Sequence, residues 1–440
     1  LKSAMALAQE NAALKAQVAE LQEKLRVAEA AAGGNVRRLL EAPMAVMTDS
    51  YKAGHFLMYP DALEMVAYGE FREPMKDIKD NRFICYGMRH IVENFVCHQW
   101  TEKDVEQAEH FYSTHNAGGI AYPFPKDLFL QFVRTNNGYF PIKLEVLPEG
   151  TVAYIHTPVF QITATKEYSR LCTFLETLLT MVWYPSTVAT LSRYSRDIIE
   201  AAFEKSVDAE FIFLLDSRLH DFGFRGCCTV EQSVLGGTAH LLNFAGSDTM
   251  SACYHAQYTL NAGKAIASSI PATEHSVMTA WPTEEAAILN EIEHFGKGLF
   301  ACVLDSYDYQ RALDEVVPAV AAAKKQNPTG YMVMRPDSGD PVEAVLAALR
   351  AGEKTFGVSV NKKGFKVING AGCIQGDGIN IHTIDRILDA VLAAGFSAQN
   401  VAFGMGGGLL QKLNRDTMSF ATKLSFIQYA DGTKRDVMKT

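Results

Sequence analysis

The residues of this chain with most chemical potential are glycines, acids and arginines gathered in short runs. GMGGGLL at 404–410 matches neither the Walker pattern nor the dinucleotide fingerprint. Its glycines make a tight turn or, set between a strand and a helix, offer backbone N–H groups to a phosphate, with Arg415 one or two turns later adding charge. Arg335-Pro336-Asp337-Ser338-Gly339-Asp340 reads in two ways. Asp340 before Pro341 suits a helix cap, whereas Arg335 would meet an anion and Asp337 a ribose hydroxyl or Mg²⁺. Asp377, between two glycines, invites the same ribose or metal reading. His275 follows Glu274 and is either a structural hydrogen bonder or a reactive imidazole. The two phenylalanines of HDFGFRG at 220–226 belong to a core, or one of them forms a wall for a planar ring.

These runs share a position: each closes an apolar segment. Phe211–Leu215 leads to Asp216, Leu299–Leu304 to Asp305, Tyr331–Met334 to Arg335, Cys373–Gln375 to Gly376, and Val401–Phe403 to Gly404. Amphipathic stretches such as Pro341–Arg350 and Ile384–Ala394 lie between them. Repeated strand–loop–helix units predict an α/β fold with a parallel sheet, open or closed into a barrel. In such folds the loops after the strand carboxyl ends carry the chemistry. Residues 44–180 are mixed, with predicted strands at 142–147 and 152–155 joined by a turn at Pro148-Glu149-Gly150, and helical stretches at 91–96 and 169–182.

The N-terminal 32 residues differ from all that follows. Leu7, Leu14 and Leu21 recur every seventh residue, Val18 and Leu25 fill the alternate seam, and Asn11 takes one seam position. This is a short coiled coil or a solvated single helix, broken by Gly33-Gly34.

A net charge of -9 argues against a general nucleic-acid binder. Of the eight cysteines no pair has CxxC spacing, so they read as small buried hydrophobes of a reducing compartment. No apolar run is long enough to span a bilayer. These features predict a cytoplasmic location, although a first residue other than Met leaves organellar targeting open.

Together the segments resemble nicotinamide phosphoribosyltransferases. The likeness begins at Thr48–Lys52 and Glu70-Phe71-Arg72. It runs through Trp183-Tyr184-Pro185, HDFGFRG, Gly246-Ser247-Asp248, 270–276, Asp305–Asp308, RPDSGDP, IQGDG and FGMGGGLLQKLNRD at 403–416. It covers about residues 44–430 in order. The resemblance implies an α/β barrel of the type II phosphoribosyltransferase kind beside a smaller β-rich domain. The domains would fall at 1–34 (helical extension), 44–180 (β-rich), 181–415 (barrel) and 416–440 (return into the β-rich domain).

The resemblance further implies a homodimer with shared sites that takes nicotinamide, phosphoribosyl pyrophosphate and ATP, with Mg²⁺ as cofactor. Phe222 would stack on nicotinamide from one subunit and Tyr51 from the partner. Asp248 would accept from the carboxamide, with Ser269 in the same substrate-binding set. Arg225 and Arg335 would line the nucleotide site, Asp337, Gly376 and Asp377 would lie near the ribose, and Gly406, Gly407 and Arg415 would hold phosphate. His275 would be phosphorylated by ATP with Asp305 orienting it. Asp305 and Asp337 would be the metal ligands, and Arg72 and Lys52 would assist with the polyphosphate.

The departures are Cys227-Cys228 in place of a small polar pair, Ala301, Met405 inside the glycine run, the N-terminal extension, and an ending soon after Tyr429 that would leave the β-rich domain short. The alternatives are a nicotinate phosphoribosyltransferase, against which Asp248 speaks, and a non-catalytic regulatory relative.

Overall fold

The structure is a computed structural model that describes residues 42–115 and 118–438. The heptad-bearing segment at 1–32 lies outside the described residues.

Six parallel strands form one sheet in the order Gly246–Ser247, Leu219–Asp221, Val401–Met405, Ala371–Gln375, Tyr331–Arg335, Leu299–Val303. The two edges are joined by residues 268–273. Ser268 bridges Gly246 on one side, and Ala272 bridges Ala301 on the other. Thr273 N donates to Ala301 O at 2.9 Å, and its Oγ1 accepts from Val303 N at 2.9 Å. The sheet is thereby a closed barrel, which leaves no open edge.

Strand alternation sorts the side chains between two environments. Ala301, Val333 and Ile374 point into the barrel, where they meet Phe222, Ile270 and Ala402. Cys302, Met332, Met334 and Cys373 point outward to the helices, among them Ile384, Leu388, Val345 and Leu349. The barrel is thus filled by its own side chains, as expected for a narrow one.

The flanking helices begin at the strand ends. Asp340 caps the helix Pro341–Phe356 by accepting from Val342 N and Glu343 N at 3.0 and 3.1 Å, with Pro341 at its first turn. The capping reading of Asp340 therefore holds. Asn380 caps Ile381–Ala393 in the same way.

A second, antiparallel sheet has the order Lys434–Asp436, Ala421–Tyr429, Ala62–Glu70, Pro158–Thr165, Lys143–Val146. Its central pair joins the two ends of the described chain: Met65 lies opposite Ile427 and Gly69 opposite Thr422. An aromatic cluster of Trp100, Phe129, Phe132, Phe140 and Phe174 packs beside it. The helix Trp183–Ser206 serves both cores, with Leu191 and Tyr194 in one and Val188, Ile199 and Phe203 in the other.

Three sequence expectations are corrected. Phe211–Leu215 is not a strand but part of a 3₁₀ helix, Ala209–Ser217, and the barrel strand is Leu219–Asp221. The strands at 143–146 and 152–154 do not pair as a hairpin. The first joins Pro158–Thr165 and the second joins Arg82–Ile84, so the turn at 148–150 passes the chain between sheets. The expected helix over 169–182 is broken into a 3₁₀ turn, Lys166–Leu171, and a short helix, Glu176–Thr180. Among the described residues no helix is long and apolar enough to cross a membrane.

Candidate active site

Strand register sets the site. Val303 lies opposite Arg335, Gln375 opposite Phe403, Met405 opposite Asp221, and Asp221 opposite Ser247. The residue runs after these strands therefore reach one rim of the barrel. A cleft of about 620 Å³ opens there, and Phe222, Arg225, Asp248, Arg335, Asp337 and Asp377 all line it.

Phe222 forms its floor. A Cβ on Gly404 would come within 2.0 Å of the ring and one on Gly376 within 3.2 Å, so the ring lies on bare backbone of two neighbouring strand ends. Phe222 N donates to Met405 O at 3.1 Å, and the fully buried Asp221 accepts from Gly223 N at 2.7 Å, which holds the turn after the ring. Burial pushes the Asp221 carboxyl up to about 6. Its Oδ2 is buried without a hydrogen-bond partner.

At one end of the cleft the Asp248 Oδ1 accepts from Ser269 Oγ at 2.9 Å and lies 3.4 Å from His220 Nδ1. The helix that follows, Met250–His255, has Thr249 at its cap position and no side-chain capping bond. Asp248 lines the cleft and does not cap that helix.

At the next strand ends stand His275, Asp305 and Asp337. His275 Nε2 lies 3.5 Å from Asp337 Oδ2 and 3.8 Å from Asp305 Oδ1, while its Nδ1 meets Ser306 Oγ at 3.1 Å. Asp305 is almost wholly buried. Its Oδ2 accepts from Asp337 N at 2.9 Å and from Ser338 Oγ at 2.5 Å, and its Oδ1 has no hydrogen-bond partner. Arg335 reaches Asp337 Oδ2 at 3.5 Å, and its Nε is buried without a partner. Unsatisfied buried atoms are costly in a finished fold. Asp221, Asp305 and Arg335 each carry one beside the same cleft, a concentration of uncommitted polar groups that suits a binding site.

Gly376, Asp377, Gly406, Gly407 and Gly408 line the wall at the ends of the strands Ala371–Gln375 and Val401–Met405. A Cβ on Gly408 would meet Ile379 O at 2.5 Å, so this stretch requires glycine for close approach of two backbones. Met405, which interrupts the run, is buried and packs beneath Gly408 outside the cleft. Cys227 accepts from Gln411 Nε2 at 3.2 Å behind the wall.

Not every candidate converges. Arg415 does not line the cleft. It is exposed and lies 3.6 Å from Asp416. Lys412 lines it instead, together with Arg225 and Arg335; it lies four residues after the last glycine of the run, and nothing in the sequence sets it apart from Arg415. His220 opens the HDFGFRG run, but nothing in the run marks the imidazole as a neighbour of Asp248. Tyr51 is half exposed on the helix Ser50–Met58, away from the cleft lining, and Lys52 is buried in an ion pair with Glu176. Arg72 lines a separate hollow with Tyr68, Glu70 and Lys423, and its Nε donates to Ser419 O at 2.9 Å.

Comparison with known proteins shows the family. Residues 217–440 match the nicotinate phosphoribosyltransferase (NAPRTase) family, and residues 43–144 match the N-terminal domain of nicotinamide phosphoribosyltransferase. A nicotinamide phosphoribosyltransferase of Xanthomonas campestris is 38% identical over 401 residues, covering 89% of this chain and 82% of its own. One from Acinetobacter baylyi is 28% identical, with 89% and 83% covered. Among solved structures, human nicotinic acid phosphoribosyltransferase shares the fold at a TM-score of 0.56 and 19% identity, covering 86% of this chain and 74% of its own. A nicotinate-nucleotide pyrophosphorylase of Pyrococcus furiosus does so at 0.51 and 14%, covering 90% and 78%.

Proposed function

This chain belongs to the nicotinamide phosphoribosyltransferase family and is a pentosyltransferase, and from that premise we propose that it transfers phosphoribosyl from phosphoribosyl pyrophosphate to nicotinamide, giving nicotinamide mononucleotide and pyrophosphate in NAD salvage. The observation that carries the choice of substrate is the Asp248 carboxylate at the end of a cleft floored by Phe222. A fixed carboxylate accepts from a carboxamide NH₂ and repels a carboxylate.

In this reading the pyridine nitrogen attacks C1 of the ribose as the C1–O bond to pyrophosphate breaks, and the electron pair leaves with pyrophosphate. The nitrogen already carries its lone pair, so no general base is needed. Phe222 stacks on the ring, contributing about 0.5–1.5 kcal/mol and fixing its plane. Arg335, Arg225 and Lys412 meet the phosphate charge. The 376–377 and 406–408 stretches hold the sugar and its phosphate through backbone N–H groups.

The donor set suits Mg²⁺. Asp305 Oδ1 is an unpartnered buried carboxylate oxygen with Asp337 beside it. Mg²⁺ is commonly held by one or two carboxylates together with water and substrate phosphate. When bound, Mg²⁺ would offset the charge that builds on the departing pyrophosphate. His275 is the group that ATP would phosphorylate, with Asp305 and Asp337 beside Nε2 to stabilise positive charge on the ring as the other nitrogen takes the phosphoryl group and ADP leaves. A homodimer with Tyr51 completing the partner's cleft belongs to the same proposal.

The test is mononucleotide formation by the purified protein with nicotinamide against nicotinate, with and without ATP and Mg²⁺. Efficient use of nicotinamide with ATP stimulation is expected. A preference for nicotinate would overturn the reading.

A further inference from the structure

We propose that the adjacent thiols of Cys227 and Cys228 form a reversible oxidation site, closed to a disulfide by a peroxide, and that closing it loosens the glycine wall of the cleft. The effect on the cleft rests on the function proposed above; the oxidation itself does not.

The pair sits where the floor of the cleft is tied to its wall. Phe224, Arg225 and Gly226 line the cleft, and Cys227 follows directly. Gln411, also in the lining, spans the gap. Its Nε2 donates to Gly223 O at 2.8 Å and to Cys227 Sγ at 3.2 Å, and Cys227 Sγ donates to Gly223 O at 3.5 Å. One residue on, Cys228 N donates to Gln232 Oε1 at 2.8 Å, while Gln232 Nε2 donates to Leu410 O at 3.1 Å. Two glutamines thus clasp the cysteine segment to Leu410 and Gln411, which lie two and three residues beyond Gly408 of the wall.

The two thiols have different surroundings. Cys228 is exposed and Cys227 half-buried. Cys85, Cys172, Cys302 and Cys373 are buried, and Cys97, though exposed, has no second cysteine beside it in the sequence. The backbone is extended at Cys227, with φ −72° and ψ 145°, and again at Thr229, with φ −142° and ψ 160°. Extended backbone sends successive side chains to opposite faces. Cys227 accordingly turns inward to Gln411, and Cys228 faces solvent.

Oxidation proceeds in two steps. The exposed Cys228 sulfur attacks one oxygen of hydrogen peroxide, the O–O bond breaks, one water leaves and a sulfenic acid remains. The Cys227 sulfur then attacks the Cys228 sulfur, the S–O bond breaks, and the Cys227 proton leaves with the second water. Two thiols give up two electrons and two protons, and one peroxide becomes two waters. Adjacent Cα atoms are about 3.8 Å apart, below the usual disulfide span of about 4.4–6.8 Å. The closed ring is therefore strained and readily reopened by an added dithiol. Closing it swings Cys227 Sγ toward Cys228 and away from Gln411 and Gly223. Gln411 then loses one of the two acceptors of its Nε2, and the clasp on the wall slackens.

The experiment treats the full chain with hydrogen peroxide, blocks the remaining thiols and follows peptide mass and turnover. Cleavage at Glu210 and Glu231 releases Cys227 and Cys228 together and without Cys253. That peptide should lack two hydrogens after oxidation and regain them with dithiothreitol. In parallel, kcat/KM for phosphoribosyl pyrophosphate should fall about tenfold, as the displaced wall misplaces the phosphate, and recover on reduction. Cys228→Ser, at an exposed position outside the cleft lining, should keep the untreated activity and show neither the mass loss nor the reversible fall. A 227–228 peptide that stays unchanged, or that only gains oxygen, overturns the oxidation site. An equal reversible fall in Cys228→Ser, or a closed pair with unchanged kcat/KM, overturns its link to the cleft. Failure of the untreated wild type to make the mononucleotide would instead overturn the proposed function, and the peptide mass would still decide the oxidation site.

Discussion

Gly404 illustrates how a single missing side chain builds the site. The Phe222 ring occupies the space a Cβ there would fill, at 2.0 Å. Gly404→Ala must displace the ring or bend the strand, an overpacking cost of about 1–3 kcal/mol. The expected result is a lowered melting temperature together with a fall of about tenfold or more in kcat/KM for nicotinamide, since the platform itself moves. An unchanged kcat/KM in a folded variant would remove Phe222 from the binding role. His275 carries a different kind of prediction. Its Nε2 faces two carboxylates and its Nδ1 a hydroxyl, yet it lies outside the Phe222 platform. His275→Ala should keep part of the phosphoribosyl transfer and lose the stimulation by ATP. Steady-state rates with and without ATP decide this, and full stimulation in the variant would end the phosphohistidine assignment. At this scale the sequence is most legible where residue types are scarce and grouped: Asp305, Asp337, Asp377 and Phe222 all come to the cleft region. It is least legible where a charge has two equivalent places to go. Arg415 and Lys412 stand three residues apart, and only the fold shows that Lys412 turns into the cleft.

The elements explain which expectations failed. Four of the barrel strands are runs of five residues that end at polar loops, and their apolar pattern marks them in the sequence. Leu219–Asp221 is three residues long, too short for a periodicity, whereas the neighbouring Phe211–Leu215 has the composition of a strand and leaves Phe211, Ile212 and Phe213 exposed on a 3₁₀ turn. The closing segment 268–273 contains two serines and a proline and pairs through only a few bonds, so nothing in its composition announces it. A testable consequence of element packing lies outside the cleft. Glu291, on the helix Glu284–Phe295, accepts from Cys302 Sγ at 2.9 Å on the strand Leu299–Val303. Burial pushes its carboxyl up to about 7. A folded value above the unfolded one means that the native chain holds a proton the unfolded chain releases. Stability from this group is therefore greatest below the ordinary carboxylate range and is lost as pH rises through about 7. Relative to Glu291→Gln, the wild type should lose about 2 kcal/mol between about pH 5 and about pH 8, read from denaturant midpoints. Parallel pH profiles for the two proteins would show that Glu291 is solvated and charged in the native state.

The whole molecule places its two ends together. Ala62–Glu70 pairs with Ala421–Tyr429 across some 350 residues of sequence, and Trp183–Ser206 ties that sheet to the barrel. No local pattern reveals such a pairing, and the antiparallel sheet is therefore the part of the fold least visible in the sequence. The arrangement also leaves Tyr51 outside the cleft of its own chain. It is half exposed at the start of Ser50–Met58, with Lys52 committed to Glu176 behind it. An exposed tyrosine with one face unpacked is available to a second subunit, whose cleft has Phe222 on one side and space for a planar ring above it. If each site takes Phe222 from one chain and Tyr51 from the other, Tyr51→Ala and Phe222→Ala should each be poorly active as homodimers. A mixed dimer then has one site with both aromatic residues and one with neither. Random exchange of equal amounts makes about half of all dimers mixed, each with one intact site, so activity should recover to about a quarter of the wild-type level. Sites built within one chain give no such recovery, because every cleft would still lack one of its two aromatic walls. Exchange must be shown independently, for example by differently tagged subunits purified in tandem. With exchange demonstrated, absence of recovery would place Tyr51 outside the site and leave Phe222 as the sole aromatic platform.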